Sequence, residues 1–262
     1  MDRFADLDGL KIRYRVEGDG DWLVLVHGVG GSLHQWDRFV TLLGGRYRTL
    51  RFDQRGHGQS DKPRGPYHID DLAGDLRKLL DTLGIESCHL AGASLGALVA
   101  QGFALADPQR LSSLVLLAGI AGRTEQEKKL VLDRLAIVQG GIPGQHFSNS
   151  VERWFTDDFR RLYPEIIEGY AARNQANDSA AYAAAYAVLA KTDFAERLRE
   201  IQIPTLIVTG EEDKGSNPRM AAFMHSQIEG SQLVILPKLR HSLLIEAPGQ
   251  VLDHVERFLD RY

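Results

Sequence analysis

Short apolar runs recur along the chain, and glycine, proline or charged residues bound each of them. Their length and their Val, Ile and Leu content are typical of strands buried on both faces of a sheet. The runs are Trp22–His27, Tyr47–Phe52, Cys88–Ala91, Leu111–Ala118, Thr205–Thr209 and Leu233–Leu236. A further stretch, Leu10–Glu17, alternates apolar and polar residues, so we expect it to pair as an edge hairpin.

Segments with helical spacing lie between most of these runs. In His68–Leu83 the apolar residues recur with a period near that of a helix, and Gly84 follows as a stop signal. Further helices are predicted over Leu95–Leu105, Pro218–Ile228 and Pro248–Leu259. Alternating strands and helices indicate an α/β protein with a mostly parallel sheet and helices on both faces.

The alternation stops between residues 123 and 192, where no convincing strand is found and an Ala-rich helical pattern dominates. We interpret 123–192 as a helical cap inserted over one end of the sheet. Residues 1–122 and 193–262 then form the core domain. The alternative is that these residues form a run of ordinary core helices.

Composition excludes several classes of function. With 31 Lys and Arg against 35 Asp and Glu, the net charge is −4, so a nucleic-acid partner is not expected. A single cysteine, Cys88, suits a reducing compartment. The N-terminus lacks an apolar signal segment. The longest low-polarity stretch, Leu90 to Ala106, contains Ser94 and Gln101 and is too short and too polar to span a membrane. We therefore expect a cytoplasmic protein without membrane contact, as a monomer or homodimer.

Ser94 stands between an apolar run and a predicted helix, in the segment "CHLAGASLGALVAQ". A G-x-S-x-G sequence in a strand–turn–helix setting is typical of a nucleophile on a sharp turn. Gly92 and Gly96 lack the Cβ atoms that would clash across such a turn. The alternative is that small residues only let the strand and helix pack closely.

A serine hydroxyl needs a base, and the base needs an orienting acid. Among nine histidines, His241 is the best candidate because it lies on the loop after the last apolar strand. His27 and His57 lie in glycine-rich turns and are predicted to brace loops. Asp213, on the loop after "LIVTG", is the predicted acid, with the neighbouring residues at 211 and 212, both glutamates, as alternatives.

The glycine loop "HGVGGS" follows the second apolar run. The amide of Val29 can stand opposite that of Leu95, the residue after the serine, so the two amides are the predicted oxyanion hole. The alternative, a phosphate-binding turn, lacks the lysine and the glycine spacing of such motifs. No Cys/His cluster has zinc spacing and no cofactor motif is found, so neither metal nor cofactor is expected.

In the cap, Arg153 and Trp154 of the "RWF" segment are candidate substrate-binding residues, with Arg153 meeting a substrate carboxylate. The alternative is a solvated cap helix with aromatic packing residues. Tyr182 and Tyr186 share one helix face and are assigned to cap packing.

Together these segments, with "RFDQRGHGQSDKP" and "RHSLLIEAP", resemble the α/β-hydrolase fold family, most closely the 3-oxoadipate enol-lactonases and their esterase relatives. The resemblance implies an eight-stranded, mostly parallel sheet with flanking helices and a helical cap. It also implies that Ser94, Asp213 and His241 form a catalytic triad and that residues 55–58 form a structural turn.

The sequence therefore predicts a serine hydrolase that cleaves a carboxylic ester or enol-lactone through an acyl-enzyme on Ser94. Three alternatives stay open at this stage. They are hydrolysis of a carbon–carbon bond in a ring-cleavage diketone, hydrolysis of a small amide, and ligand reception without catalysis on the same fold.

Overall fold

A computed structural model describes all residues, 1–262, and its centre is one eight-stranded sheet. The strands are β1 (Arg3–Asp6), β2 (Lys11–Glu17), β3 (Trp22–Val26), β4 (Arg48–Phe52), β5 (Cys88–Ala93), β6 (Leu111–Leu117), β7 (Thr205–Gly210) and β8 (Gln232–Leu236). Their order across the sheet is β1-β2-β4-β3-β5-β6-β7-β8. The first two strands are antiparallel to their neighbours, and all other pairs are parallel. The predicted α/β-hydrolase architecture is confirmed.

Helices cover both faces of the sheet. The core helices are α1 (Asp37–Leu43), α2 (Ile69–Thr82), α3 (Leu95–Ala106), α10 (Pro218–Gln227), α11 (Leu243–Glu246) and α12 (Pro248–Leu259). Alternate residues of β3 enter opposite layers: Val24 packs in one apolar cluster with α2 and α3, and Leu25 in another with α1 and α12. The central strands are buried on both faces, as their continuous apolar runs predict.

Residues 125–191 contain helices and no strand. These are α4 (Glu125–Gln139), α5 (Gln145–Ser148), α6 (Val151–Trp154), α7 (Asp157–Leu162), α8 (Pro164–Gln175) and α9 (Ser179–Lys191). All of them lie within the segment interpreted as a cap. None of the helices in the chain has the length and apolar character required to cross a bilayer.

The structure differs from the sequence prediction mainly in short elements. The hairpin partner of β2 is β1, a four-residue strand that the apolar pattern did not reveal because only Ala5 in it is buried. Strand and helix ends shift by one or two residues; β5, for example, runs to Ala93 rather than Ala91. These shifts leave the loops that carry the candidate site at the carboxyl ends of the parallel strands, where α/β proteins place their ligands.

Candidate active site

Ser94 occupies a tight turn between β5 and α3. Its backbone is in a strained region, with φ 56° and ψ −112°. A Cβ on Gly92 would stand 2.1 Å from the carbonyl oxygen of Gly96, and a Cβ on Gly96 would stand 2.2 Å from that of Val26. Only glycine therefore fits at these two positions of the turn. Ser94 itself stands at the start of α3.

The imidazole of His241 is oriented by Asp213. The Nδ1 atom of His241 lies 2.6 Å from Oδ2 of Asp213. The other carboxylate oxygen accepts hydrogen bonds from the backbone amides of Gly215, at 2.7 Å, and Ser216, at 3.0 Å. Burial alone raises the pKa of a carboxyl group, but His241 and these two amides outweigh it and lower the pKa of Asp213. The carboxylate is thus held ionised and fixes the imidazole by its Nδ1 atom.

The two neighbouring glutamates do not contact the imidazole. Glu211 accepts a hydrogen bond from the amide of Lys238, and Glu212 lies 3.5 Å from the guanidinium of Arg240. Both glutamates are exposed. Of the three acidic residues considered from the sequence, only Asp213 can orient His241.

Ser94, Asp213 and His241 line one cavity of about 670 Å³, a volume that includes its opening to solvent. The structure thus brings the three predicted residues together. The one side-chain hydrogen bond of His241 is to Asp213, so its Nε2 atom and the serine hydroxyl are both free to bind a reacting molecule. Hydrogen bonds between catalytic groups often tighten only when substrate is bound.

Two backbone amides next to Ser94 are unengaged. Neither the amide of Val29 nor that of Leu95 donates to another group of the protein, and Val29 lines the same cavity as the serine. The glycine loop is held in place because the amide of Gly28 donates to Oε1 of Gln35 at 2.7 Å. Free amides at a helix start and in a braced loop can stabilise a developing oxyanion.

The buried histidines 27 and 57 hold loops together, as predicted. His27 lies 2.7 Å from the carbonyl oxygen of Gly28 by Nδ1, and its Nε2 accepts the amide of Gln54 at 3.1 Å. Nδ1 of His57 hydrogen bonds to the carbonyl oxygen of Arg55 at 3.0 Å. Burial lowers the pKa of His27 and lowers that of His57 to about 3. Both rings are therefore neutral structural groups.

The cap supplies a cationic and aromatic wall to the cavity. Arg153 and Trp154, the two candidate substrate-binding residues, both line it. Sequence reasoning missed Arg134 and His146, which also line it, and it assigned Tyr186 to packing although its side chain borders the same space. Helical spacing on α4 and α9 shows which residues share a face, but not which face meets the cavity.

A chain of hydrogen bonds holds Arg153 in this wall. Its guanidinium donates to Oγ of Ser150, which is 3.4 Å from Nε2 of His146. The Nδ1 atom of His146 lies 2.7 Å from the hydroxyl of Tyr182. Burial, with the charges of Arg153 and Arg134, lowers the pKa of His146 to about 3, so the ring stays neutral and its Nε2 atom can accept a hydrogen bond from the Ser150 hydroxyl.

A second cavity of about 540 Å³ meets the first at Ser94. No Lys, Arg, Asp or Glu lines it, and its walls combine apolar side chains, including Phe147, Phe155, Tyr170 and Ile245, with glycines and neutral polar groups. Trp154 and His241 border both cavities. A molecule bound at Ser94 can therefore extend in two directions, toward a cationic wall or toward an uncharged one.

The loop that carries His241 also binds the cap. Arg240 donates to the carbonyl oxygens of Glu152, at 2.7 Å, and Phe155, at 2.8 Å. Glu246 accepts hydrogen bonds from the amide and hydroxyl of Thr156, at 3.0 and 2.6 Å. We call these contacts the cap–loop latch.

Nowhere in the structure do three or more His, Cys, Asp or Glu side chains come together in a group able to hold a metal ion. The residues grouped at the site are instead a hydroxyl, an imidazole–carboxylate pair and free amides.

Comparisons with known proteins agree with this architecture. A family profile described as alpha/beta hydrolase fold matches residues 21–248. The 3-oxoadipate enol-lactonase 2 of Acinetobacter baylyi is 30% identical over 255 residues, covering 97% of this chain and 94% of the relative. The (E)-2-((N-methylformamido)methylene)succinate hydrolase of the same organism is 26% identical over 251 residues, covering 94% and 93%.

Among solved structures, the enol-lactonase of Burkholderia xenovorans superposes with a TM-score of 0.92 at 27% identity, covering 98% of this chain and 100% of that chain. The chain therefore belongs to the α/β-hydrolase family, in which it is a hydrolase close to the enol-lactonases.

Proposed function

We propose that the protein is a serine hydrolase of a carboxylic ester or lactone. The observation that carries the proposal is the Asp213–His241 pair beside Ser94, on a strained turn flanked by two free amides. A buried, ionised carboxylate fixing an imidazole next to a serine is the arrangement that activates a hydroxyl for acyl transfer.

In the proposed reaction, Nε2 of His241 takes the proton of the Ser94 hydroxyl as its oxygen attacks the carbonyl carbon. The amides of Val29 and Leu95 donate to the oxyanion of the tetrahedral intermediate. His241 then gives the proton to the departing alkoxide or enolate oxygen, leaving an acyl-enzyme. Water, deprotonated by the same imidazole, releases the acid and restores the serine.

The relatives and the cap narrow the substrate class. Two of the similar proteins are named enol-lactonases, and the cavity next to Ser94 is lined by Arg153. An arginine in a partly desolvated wall suits a substrate carboxylate. We propose that the substrate is a small ester or lactone bearing a carboxylate. We further propose that the protein acts in the cytoplasm, as a monomer or homodimer, without a cofactor.

A second candidate is a small amide. The relative named (E)-2-((N-methylformamido)methylene)succinate hydrolase covers nearly the whole chain. The same serine, imidazole and amides can act on an amide carbonyl, with His241 protonating the departing nitrogen.

Steady-state turnover by the purified protein tests the proposal. The panel contains p-nitrophenyl acetate, enol-lactones with and without a carboxylate, small N-acyl and N-formyl amides, and ring-cleavage diketones. We expect sustained turnover of esters or lactones. Binding of a panel member without any turnover would instead favour a ligand receptor, and turnover of the diketones alone would favour carbon–carbon hydrolysis.

Arg153→Ala is expected to raise KM for carboxylate-bearing substrates and to change the hydrolysis of neutral p-nitrophenyl esters little. Removing one partner of a desolvated charge pair weakens binding by about 2–5 kcal/mol. KM is measured for matched anionic and neutral esters. The control is Arg161→Ala, an exposed cap arginine paired with Asp158. Equal effects of Arg153→Ala on both ester classes would contradict carboxylate recognition.

The rate should fall in acid because protonated His241 cannot accept the serine proton. The lowered pKa of Asp213 keeps its carboxylate ionised. Burial lowers the pKa of His57 and of His146 to about 3, so none of these three groups changes its charge near neutral pH. We expect kcat/KM, measured from about pH 5 to about pH 9, to rise with pH through a single ionisation. A profile that is flat over this range would contradict a histidine base.

A further inference from the structure

The cavity beside Ser94 has more cationic than anionic side chains. Its cationic lining residues are Arg123, Arg134, Arg153 and Lys214, and its anionic ones are Glu127 and Asp213. None of the four cations has a carboxylate oxygen within 4.0 Å. Both carboxylates are engaged with other groups, Glu127 with Arg219 and Asp213 with His241. The cavity wall therefore carries more positive than negative charge, and none of its four cations is ion-paired.

Two of the four cations are free to bind a ligand inside the cavity. Arg123 donates to the carbonyl oxygens of Thr192, at 2.9 Å, and Leu189, at 2.8 Å, and Lys214 is exposed at the rim. Arg134 makes no ion pair and hydrogen bonds to the neutral side chain of Tyr186, and the one side-chain hydrogen-bond partner of Arg153 is the neutral hydroxyl of Ser150.

Arg134 and Arg153 come from different helices, α4 and α6, and both are half-buried. Burial and the charge of Arg134 lower the pKa of Arg153, as expected for like charges brought together out of water. Repulsion within such a pair is unfavourable, and an anion that contacts both members relieves it.

Apolar residues line the same cavity as the cations and the serine, including Ile120, Val131, Leu189 and Met220. A compact anion such as phosphate would leave this surface without contacts. A carbon skeleton with a carboxylate at each of two positions would cover it and still reach both guanidinium groups.

We propose that Arg134 and Arg153 form a subsite for two carboxylates, so that the acyl half of the substrate is a dicarboxylate. This inference rests on the proposed function only in treating the bound molecule as a substrate. The subsite itself can be tested as a binding site. Arg153, held by Ser150 and His146, takes one carboxylate, and Arg134, beside Tyr186, takes the other.

Isothermal titration of the purified protein with unreactive acids tests the subsite. The ligands are succinate, glutarate and adipate, each compared with the monocarboxylate of equal chain length and with inorganic phosphate. We expect at least one dicarboxylate to bind about tenfold or more tightly than its matched monocarboxylate, because a second charge-assisted contact forms. None of these ligands contains an ester bond, so the answer does not depend on whether the protein is a hydrolase.

Variants assign the two positions. Arg134→Met, which removes the charge but keeps an apolar chain, should abolish the preference for dicarboxylates over monocarboxylates. Arg134→Lys should restore part of it, and thermal unfolding reports whether each variant is folded. The matched control Arg161→Met, an exposed cap arginine, should bind every ligand as the native protein does.

Three results would overturn the proposal. They are equal affinity of the native protein for mono- and dicarboxylates at every chain length, an unchanged dicarboxylate preference in folded Arg134→Met, and tighter binding of phosphate than of any dicarboxylate. A protein that prefers dicarboxylates but hydrolyses no ester would retain the subsite and refute the proposed function alone.

Discussion

Ser94→Ala is expected to reduce kcat for ester or lactone hydrolysis by on the order of 10⁴- to 10⁶-fold, the scale of losing a nucleophile from a triad. The change removes one oxygen atom and does not alter Gly92 and Gly96, the glycines that permit the tight turn, so the fold should be retained. The hydroxyl makes no hydrogen bond that the structure needs. The residual rate would come from the free amides of Val29 and Leu95 acting on a bound ester.

Ser87→Ala is the matched control for this prediction. It makes the same chemical change just before β5, at the opposite end of the strand from Ser94, where the side chain is exposed. Its turnover should equal that of the native protein. Near-native turnover by Ser94→Ala, with loss of turnover in His241→Ala, would show that another group is the nucleophile.

Asp213→Asn is expected to lower kcat by about 10⁴-fold at nearly unchanged KM. The amide oxygen of the asparagine can still accept from the backbone at Gly215 and Ser216, where Oδ1 of Asp213 accepts now. Its amide group then faces Nδ1 of His241 as a donor. The imidazole is thereby driven to the tautomer with the proton on Nε2, which cannot take the proton of the serine.

Glu211→Gln and Glu212→Gln provide the controls. Each removes a negative charge from the same loop without touching His241, so each should retain turnover within a few-fold of the native protein. The kinetic constants of all three variants are measured on one neutral ester. If either glutamine variant is the inactive one, the orienting acid is that glutamate.

The sheet and the grouping of the candidate catalytic residues were predictable because the sequence patterns that indicate them are local. Strands buried on both faces appear as continuous apolar runs, and the turn around Ser94 requires glycines two residues to either side. The carboxyl ends of neighbouring parallel strands meet at one edge, which brings Asp213 and His241 to the serine from far along the chain. In contrast, β1 escaped notice because a short exposed edge strand has almost no apolar pattern.

The lining contributed by the cap was not predictable in the same way. Arg134 and His146 lie on helices whose faces are fixed by packing against other cap helices, not by their own periodicity. The sequence does not show whether an arginine side chain on a helix faces solvent or a cavity. Only the tertiary arrangement shows that Arg134 and Arg153 share one wall, and that a neutral histidine supports the second of them.

The cap–loop latch ties the position of one end of the cap to the position of His241. Because Arg240 and Glu246 bind residues 152–157 from either side of His241, this end of the cap cannot swing outward unless the base moves with it. A displacement of that end would therefore also displace His241, the proposed base. Substitutions in α4 and α9 can therefore reshape the cavity without disturbing the contacts of the His241 loop. Substitutions within residues 152–157 would alter the cavity and those contacts together.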